Sequence, residues 1–100
     1  MINSADKELI RKTLDAFDTI KDVDVTREEG PDCLVSFTTS FGRDTAYDVE
    51  LTEQESGYKV VLLTSAENPI MQEKIGGISE EEIDSLFDHV VETIRELEGN

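Results

Sequence analysis

Ile83, Leu86, Phe87, Val90, Val91, Ile94 and Leu97 recur at three- and four-residue spacing, which is the apolar stripe of a helix that buries one face. Ser79 with Glu82 three residues on marks its start as a capping-box pattern. Near the other end of the chain, Leu9, Ile10, Leu14, Phe17 and Ile20 repeat the helical spacing behind Asn3 or Ser4 as cap, with Asp6 and Glu8 in the first turn. This stripe predicts a first helix that stops near Ile20 to Asp22. Lys7–Arg11–Asp15 and Glu8–Lys12 are four residues apart, a spacing that predicts ion pairs on its solvent face.

Between the two helical patterns the period is two. Val23-Asp24-Val25 predicts a short strand, and Cys33, Val35 and Phe37 alternate with Leu34, Ser36 and Thr38 in a second. Tyr47, Val49 and Leu51 alternate with Asp48, Glu50 and Thr52 in a third. Tyr58-Lys59-Val60-Val61-Leu62-Leu63-Thr64, the most continuously apolar run, predicts a fourth strand that is central or covered on both faces. The sequences 28–32, 42–44 and 53–57 are turns by composition, and such short links join antiparallel neighbours. Residues 66–78 form a connection in which Ile70-Met71-Gln72-Glu73-Lys74-Ile75 makes one or two helical turns after Asn68-Pro69, stopped by Gly76-Gly77.

The predicted fold is therefore α+β, a four-stranded antiparallel meander with N- and C-terminal helices packed on one face, in the order α-β-β-β-β-α. One hundred residues suit a single domain over 1–100 with one core. Leu34, Val61 and Leu63 fall on the opposite parity to the core set, rimmed by Asp48, Glu50 and Glu53. That second face is either a contact for a homodimer or another partner, or a face covered by a helix or by 66–78.

Charge changes the picture most. Asp6, Glu8, Asp15, Asp18, Asp22 and Asp24 nearly balance Lys7, Arg11, Lys12, Lys21 and Arg27, whereas residues 28–98 hold 18 acids against four bases. The formal net charge is −15 and the pI is near 4.1. A field of one sign steers association with basic surfaces and repels phosphate, so direct binding to nucleic acid or to an anionic membrane is not expected. No apolar run reaches the ~20 residues of a membrane span, and the start has no basic-then-apolar signal pattern, so the cytoplasm is the expected compartment. The lone Cys33 fits a reducing environment.

Candidate chemistry is thin. Asp22, Asp24 and Thr26 imitate the start of a calcium loop, but Arg27 stands where that loop needs glycine and Cys33 where it needs a bidentate glutamate. Cys33 and His89 are the residue types of a nucleophile and its base, yet Cys33 shares a strand face with Val35 and Phe37, the setting of an inert core thiol. His89 has no companion His or Cys for zinc and falls where a histidine pairs with a carboxylate. Lys74-Ile75-Gly76-Gly77 lacks the spacing of a phosphate cradle. No cofactor, metal or enzymatic activity is predicted.

One arrangement of acids is ordered. Glu81, Asp84, Asp88, Glu92 and Glu96 cluster opposite the apolar stripe of the last helix, interrupted by Ser85 and Arg95. Over 15 helical positions these carboxylates span about 22 Å, one per ~4.5 Å, against one phosphate per ~3.4 Å along a DNA strand. The expectation is a non-enzymatic inhibitor that imitates nucleic-acid charge and blocks the basic groove of a nucleic-acid-binding protein. Its likeness to anti-CRISPR, anti-restriction and nuclease-immunity proteins lies in size and charge, and a viral origin would place it in the host cytoplasm. The alternatives are an acidic protein-binding module such as a secretion-type chaperone or adaptor, or acidity adapted to solubility or salt. Salt adaptation fits less well, since lysine slightly outnumbers arginine and residues 1–27 are balanced.

Overall fold

Every second residue from Cys33 to Thr39 is buried, and the same alternation runs from Tyr47 to Leu51 and from Tyr58 to Leu62. These strands therefore share one dry face. The computed structural model describes residues 2–26, 32–41 and 44–99. Its elements are α1 (Ser4–Asp15), β1 (Ile20–Thr26), β2 (Cys33–Thr39), β3 (Thr45–Gln54), β4 (Gly57–Thr64), β5 (Pro69–Ile75) and α2 (Glu80–Glu98). The fold is α+β: one antiparallel sheet in the order β1-β2-β3-β4-β5, with an N-terminal and a C-terminal helix.

The core lies between the sheet and the two helices. Val35, Val49, Val60 and Leu62 meet Ile10 and Leu14 of α1 and Ile83, Phe87, Val90 and Ile94 of α2 in a single buried cluster. Phe37 sits at its centre, stacked on Tyr47 at 6.2 Å and edge-on to Phe87 at 6.0 Å. Asn3 caps α1 in a reciprocal box with Asp6, and Ser79 Oγ accepts from the Glu82 N–H at 3.2 Å to start α2. Gly57 opens β4 with φ +122, where an added Cβ would stand 2.1 Å from the Ile75 carbonyl oxygen. Only glycine fits there. Among the described residues no helix is long and apolar enough to cross a membrane.

The sheet has five strands and not four. Pro69–Ile75, expected as one or two helical turns, pairs with β4 from Tyr58↔Ile75 to Leu62↔Met71. The outer edge of a strand as apolar as β4 would otherwise leave a row of backbone groups unpaired, and proline is tolerated at the first position of an edge strand. Gly76-Gly77 accordingly links a strand to α2. The predicted turns at 28–31 and 42–43 lie outside the described residues.

α1 is also shorter than its stripe. Phe17 N–H donates to the Leu14 carbonyl at 3.0 Å, tightening the end, and Ile20 N–H donates to the Phe17 carbonyl at 3.3 Å. Phe17 packs against the core from the connection, while Ile20 becomes the first residue of β1 opposite Thr39. Ile20 is thus buried, and Phe17 half-buried, without helix. The ion pairs expected within α1 do not form; the described pairs are Lys21–Asp44 and His89–Glu73.

The C-terminal turn of α2 departs from its stripe as well. Leu97, expected in the core, is 55% exposed, and its neighbour Glu98 turns inward instead. Glu98 accepts from the Tyr47 hydroxyl at 2.5 Å and from Thr39 and Thr45 Oγ1 at 3.3 Å each. Three hydroxyls on β2 and β3 thus hold the last turn of α2 to the sheet. Burial first, then this hydrogen bond and the carboxylate's charge, push the Tyr47 phenol well above its ordinary value. Tyr47→Phe is expected to lower stability by about 1–2 kcal/mol, measured by urea unfolding, with faster amide exchange confined to the last turn of α2. An unchanged midpoint would show that the hydroxyl contributes nothing.

Candidate functional site

α2 lies on the sheet with two different flanks. One flank faces β5: His89 Nδ1 is 2.9 Å from Glu73 Oε2, and Thr93 Oγ1 donates to Met71 Sδ at 3.4 Å. The other faces the connection between α1 and β1. There the early end of α1 leaves a groove of about 550 Å³, lined by Ala16, Phe17, Asp18 and Thr19 on one side and by Asp84, Asp88, Val91, Glu92 and Arg95 on the other.

Helical spacing explains its lining. Asp84, Asp88 and Glu92 are four residues apart, so their carboxylates stand one above another at ~6 Å intervals along the helix axis. Asp18 adds a fourth acid from the opposite wall. Phe17 and Val91 supply an apolar surface, and Arg95 sits at the lining with its guanidinium 5.3 Å from the centre of the Phe41 ring. Acid above an apolar wall suits the side chains of arginine and lysine, whose stems are apolar and whose heads are charged.

Of the residues singled out by their sequence pattern, three line this groove: Asp84, Asp88 and Glu92. Glu81 and Glu96 are exposed on the same outward face of α2. The remaining three lie elsewhere. Asp48 and Glu50 project from the sheet face opposite the helices, where Asp48 accepts from Ser36 Oγ at 2.8 Å. Glu53, expected to rim that same face, pairs with Tyr58 and belongs to the helix side. Its N–H donates to Asp32 Oδ2 at 2.5 Å. The eight acids thus divide between the α2 surface, the open sheet face and a strand end.

Phe17 and Asp18 had no signal in the sequence, because a helical reading of residues 9–20 hides the connection in which they sit. The groove exists because that helix ends early.

The other candidate residues are dispersed. Cys33 is fully buried opposite Leu51, and His89 is engaged with Glu73, so the two do not form a nucleophile–base pair. Burial pushes the Cys33 thiol up to about 11, with Lys7 opposing and Asp32 and Asp6 adding to the rise. Asp24 and Thr26 lie in the extended β1. Among the described residues no group of three or more His, Cys, Asp or Glu side chains is placed to hold a metal ion. Family models, curated proteins and solved structures were compared with the chain, and none matches.

The thiol and phenols predict a pH dependence of stability. Cys33, Tyr47 and Tyr58 all have raised values in the fold, with burial the first cause in each, so the folded protein holds protons that the unfolded chain releases. Stability is therefore fully present below the ordinary thiol value of 9.0 and falls as pH rises beyond it, the phenols adding their part from 10.0. Urea midpoints between pH 7 and 11 should decline over that upper range, and a flat profile would contradict the burial. Native Cys33 is expected to resist thiol reagents until the chain unfolds, and Cys33→Ser to cost roughly 1–3 kcal/mol.

Proposed function

We propose that the protein is a small, non-enzymatic binding protein that lays the acidic face of α2 into the basic groove of a nucleic-acid-binding protein, taking the place of a phosphate backbone. A nuclease, a restriction enzyme or a CRISPR effector has such a groove. The site of action is then the cytoplasm, the host's if the protein is viral.

The observation that carries this reading is the row Asp84, Asp88, Glu92, continued by Glu81 and Glu96 and joined across the groove by Asp18. Its ~6 Å steps along one rigid helix hold negative charges in a line, more widely spaced than the ~3.4 Å of axis per phosphate of a DNA strand. Rigid placement matters because charges already held in line need no ordering when the partner arrives. The neighbouring apolar wall of Phe17 and Val91 adds what a bare phosphate strand lacks, a surface for the arginine stem. Association with a basic partner is steered by the whole −15 field, while register is set by this groove.

Position, and not total charge, is the variable to test. Asp84, Asp88 and Glu92 changed together to Lys alter the groove; Glu8, Glu55 and Glu67, all exposed and all remote from its lining, changed to Lys apply the same charge difference elsewhere. Both variants keep their apolar stripes and are expected to fold. The first should lose partner binding by two orders of magnitude or more, on the order of 3 kcal/mol, and the second far less. Equal losses would reduce the effect to net charge, and no loss in either would remove α2 from the interface. Binding by the unaltered protein should weaken steeply with salt, mainly through slower association.

A further inference from the structure

Among the described residues, Arg95 is the only base that lines the groove, and helical spacing sets it within the acid row itself. At about 100° per residue it falls between Asp84 and Asp88 in angle around α2, and it follows Glu92 by three residues. A long side chain on a helix leans toward the N-terminus, and a glutamate one turn earlier is its ordinary ion-pair partner. Folded onto Glu92, Arg95 would neutralise that end of the row and oppose an incoming cation.

That pair does not form. The ion pairs among the described residues include no partner for Arg95, and its guanidinium lies instead 5.3 Å from the centre of the Phe41 ring. Glu98, the acid three residues on, is held to the sheet by the hydroxyls of Tyr47, Thr39 and Thr45. Phe41 follows β2, packs half-buried against the core and is not part of the groove lining. Its ring is anchored by the core. At exposed sites a cation over an aromatic face is worth roughly twice an ion pair between helix neighbours, so Arg95 stays with the ring.

We infer that Phe41 is a positioning residue for the acidic groove: it draws Arg95 off the Asp84–Asp88–Glu92 row and keeps those carboxylates open to an arginine of a basic partner segment. The inference rests on the groove being the docking surface proposed above. It gives a role in recognition to a residue that carries no charge and stands outside the lining. Replacing Phe41 leaves the net charge at −15, so a resulting change in affinity cannot come from steering by the whole field.

Two measurements test the inference, calorimetric titration with octa-arginine at one fixed moderate salt concentration and nuclear Overhauser contacts of the Arg95 side chain, which need no partner. In the unaltered protein Arg95 should contact the Phe41 ring and not the Glu92 side chain. Phe41→Leu keeps an apolar group against the core; it should move the contact to Glu92 and weaken peptide binding by roughly two- to threefold, the effect of a competing pair between helix neighbours. Phe41→Tyr retains the ring face and should preserve both contact and affinity. Arg95→Gln should bind at least as tightly as the unaltered protein, and adding Phe41→Leu to it should change affinity no further. Circular dichroism checks folding, and Phe41→Met repeats the test should the leucine variant unfold. Arg95 resting on Glu92 in the unaltered protein, a leucine variant that binds as tightly as the original, or a loss that persists with Arg95→Gln would overturn the inference while leaving the groove a binding surface. Absence of octa-arginine binding by every form would overturn the reading of the groove itself, and with it the part of Phe41 in docking.

Discussion

The structure depends on a sheet that is buried on one face only. A single dry face forces strict alternation on β2, β3 and β4, and it fixes the fate of every residue between the buried ones. It also brings both helices to the same side, where α1 and α2 share the core with Phe37 and Phe87. From this follow two separate outer surfaces, the helix layer with its acidic groove and the bare face of the sheet.

Much of that was legible because period is a direct consequence of geometry. The alternation from Cys33 to Phe37 and from Tyr47 to Leu51, and the stripe from Ile83 to Ile94, lie on the elements they predict. The misreadings occur where one apolar spacing satisfies two conformations. Phe17 packs half-buried against the core from a turn and Ile20 is buried from a strand, and pairing with Thr39 decides against the helix. Residues 69–75 have no alternation to show, since β5 lies at an edge with irregular register, and what makes them a strand is the unpaired side of β4. At Leu97 and Glu98 the polar residue is the one turned in, because Tyr47, Thr39 and Thr45 offer hydroxyls there. No periodicity encodes that. The α2 acid row was visible as a helical face, but its groove was not, because the opposite wall consists of the connection that the helical pattern concealed.

A chain of net charge −15 is destabilised by self-repulsion, yet the fold puts the excess where it is solvated, on the outer face of α2 and on turns. In the proposed reading the −15 field and the α2 row draw a basic partner less strongly as salt rises.

The central claim is that the acidity is arranged and not merely abundant. Titration of the isotopically labelled protein with an arginine-rich peptide, followed by nuclear magnetic resonance, tests this most directly. The account predicts saturable shifts concentrated at Asp18, Asp84, Asp88, Glu92 and the neighbouring Phe17 and Val91, with Glu55, Glu67 and the sheet face little changed. Shifts spread evenly over acidic residues on every face would contradict it.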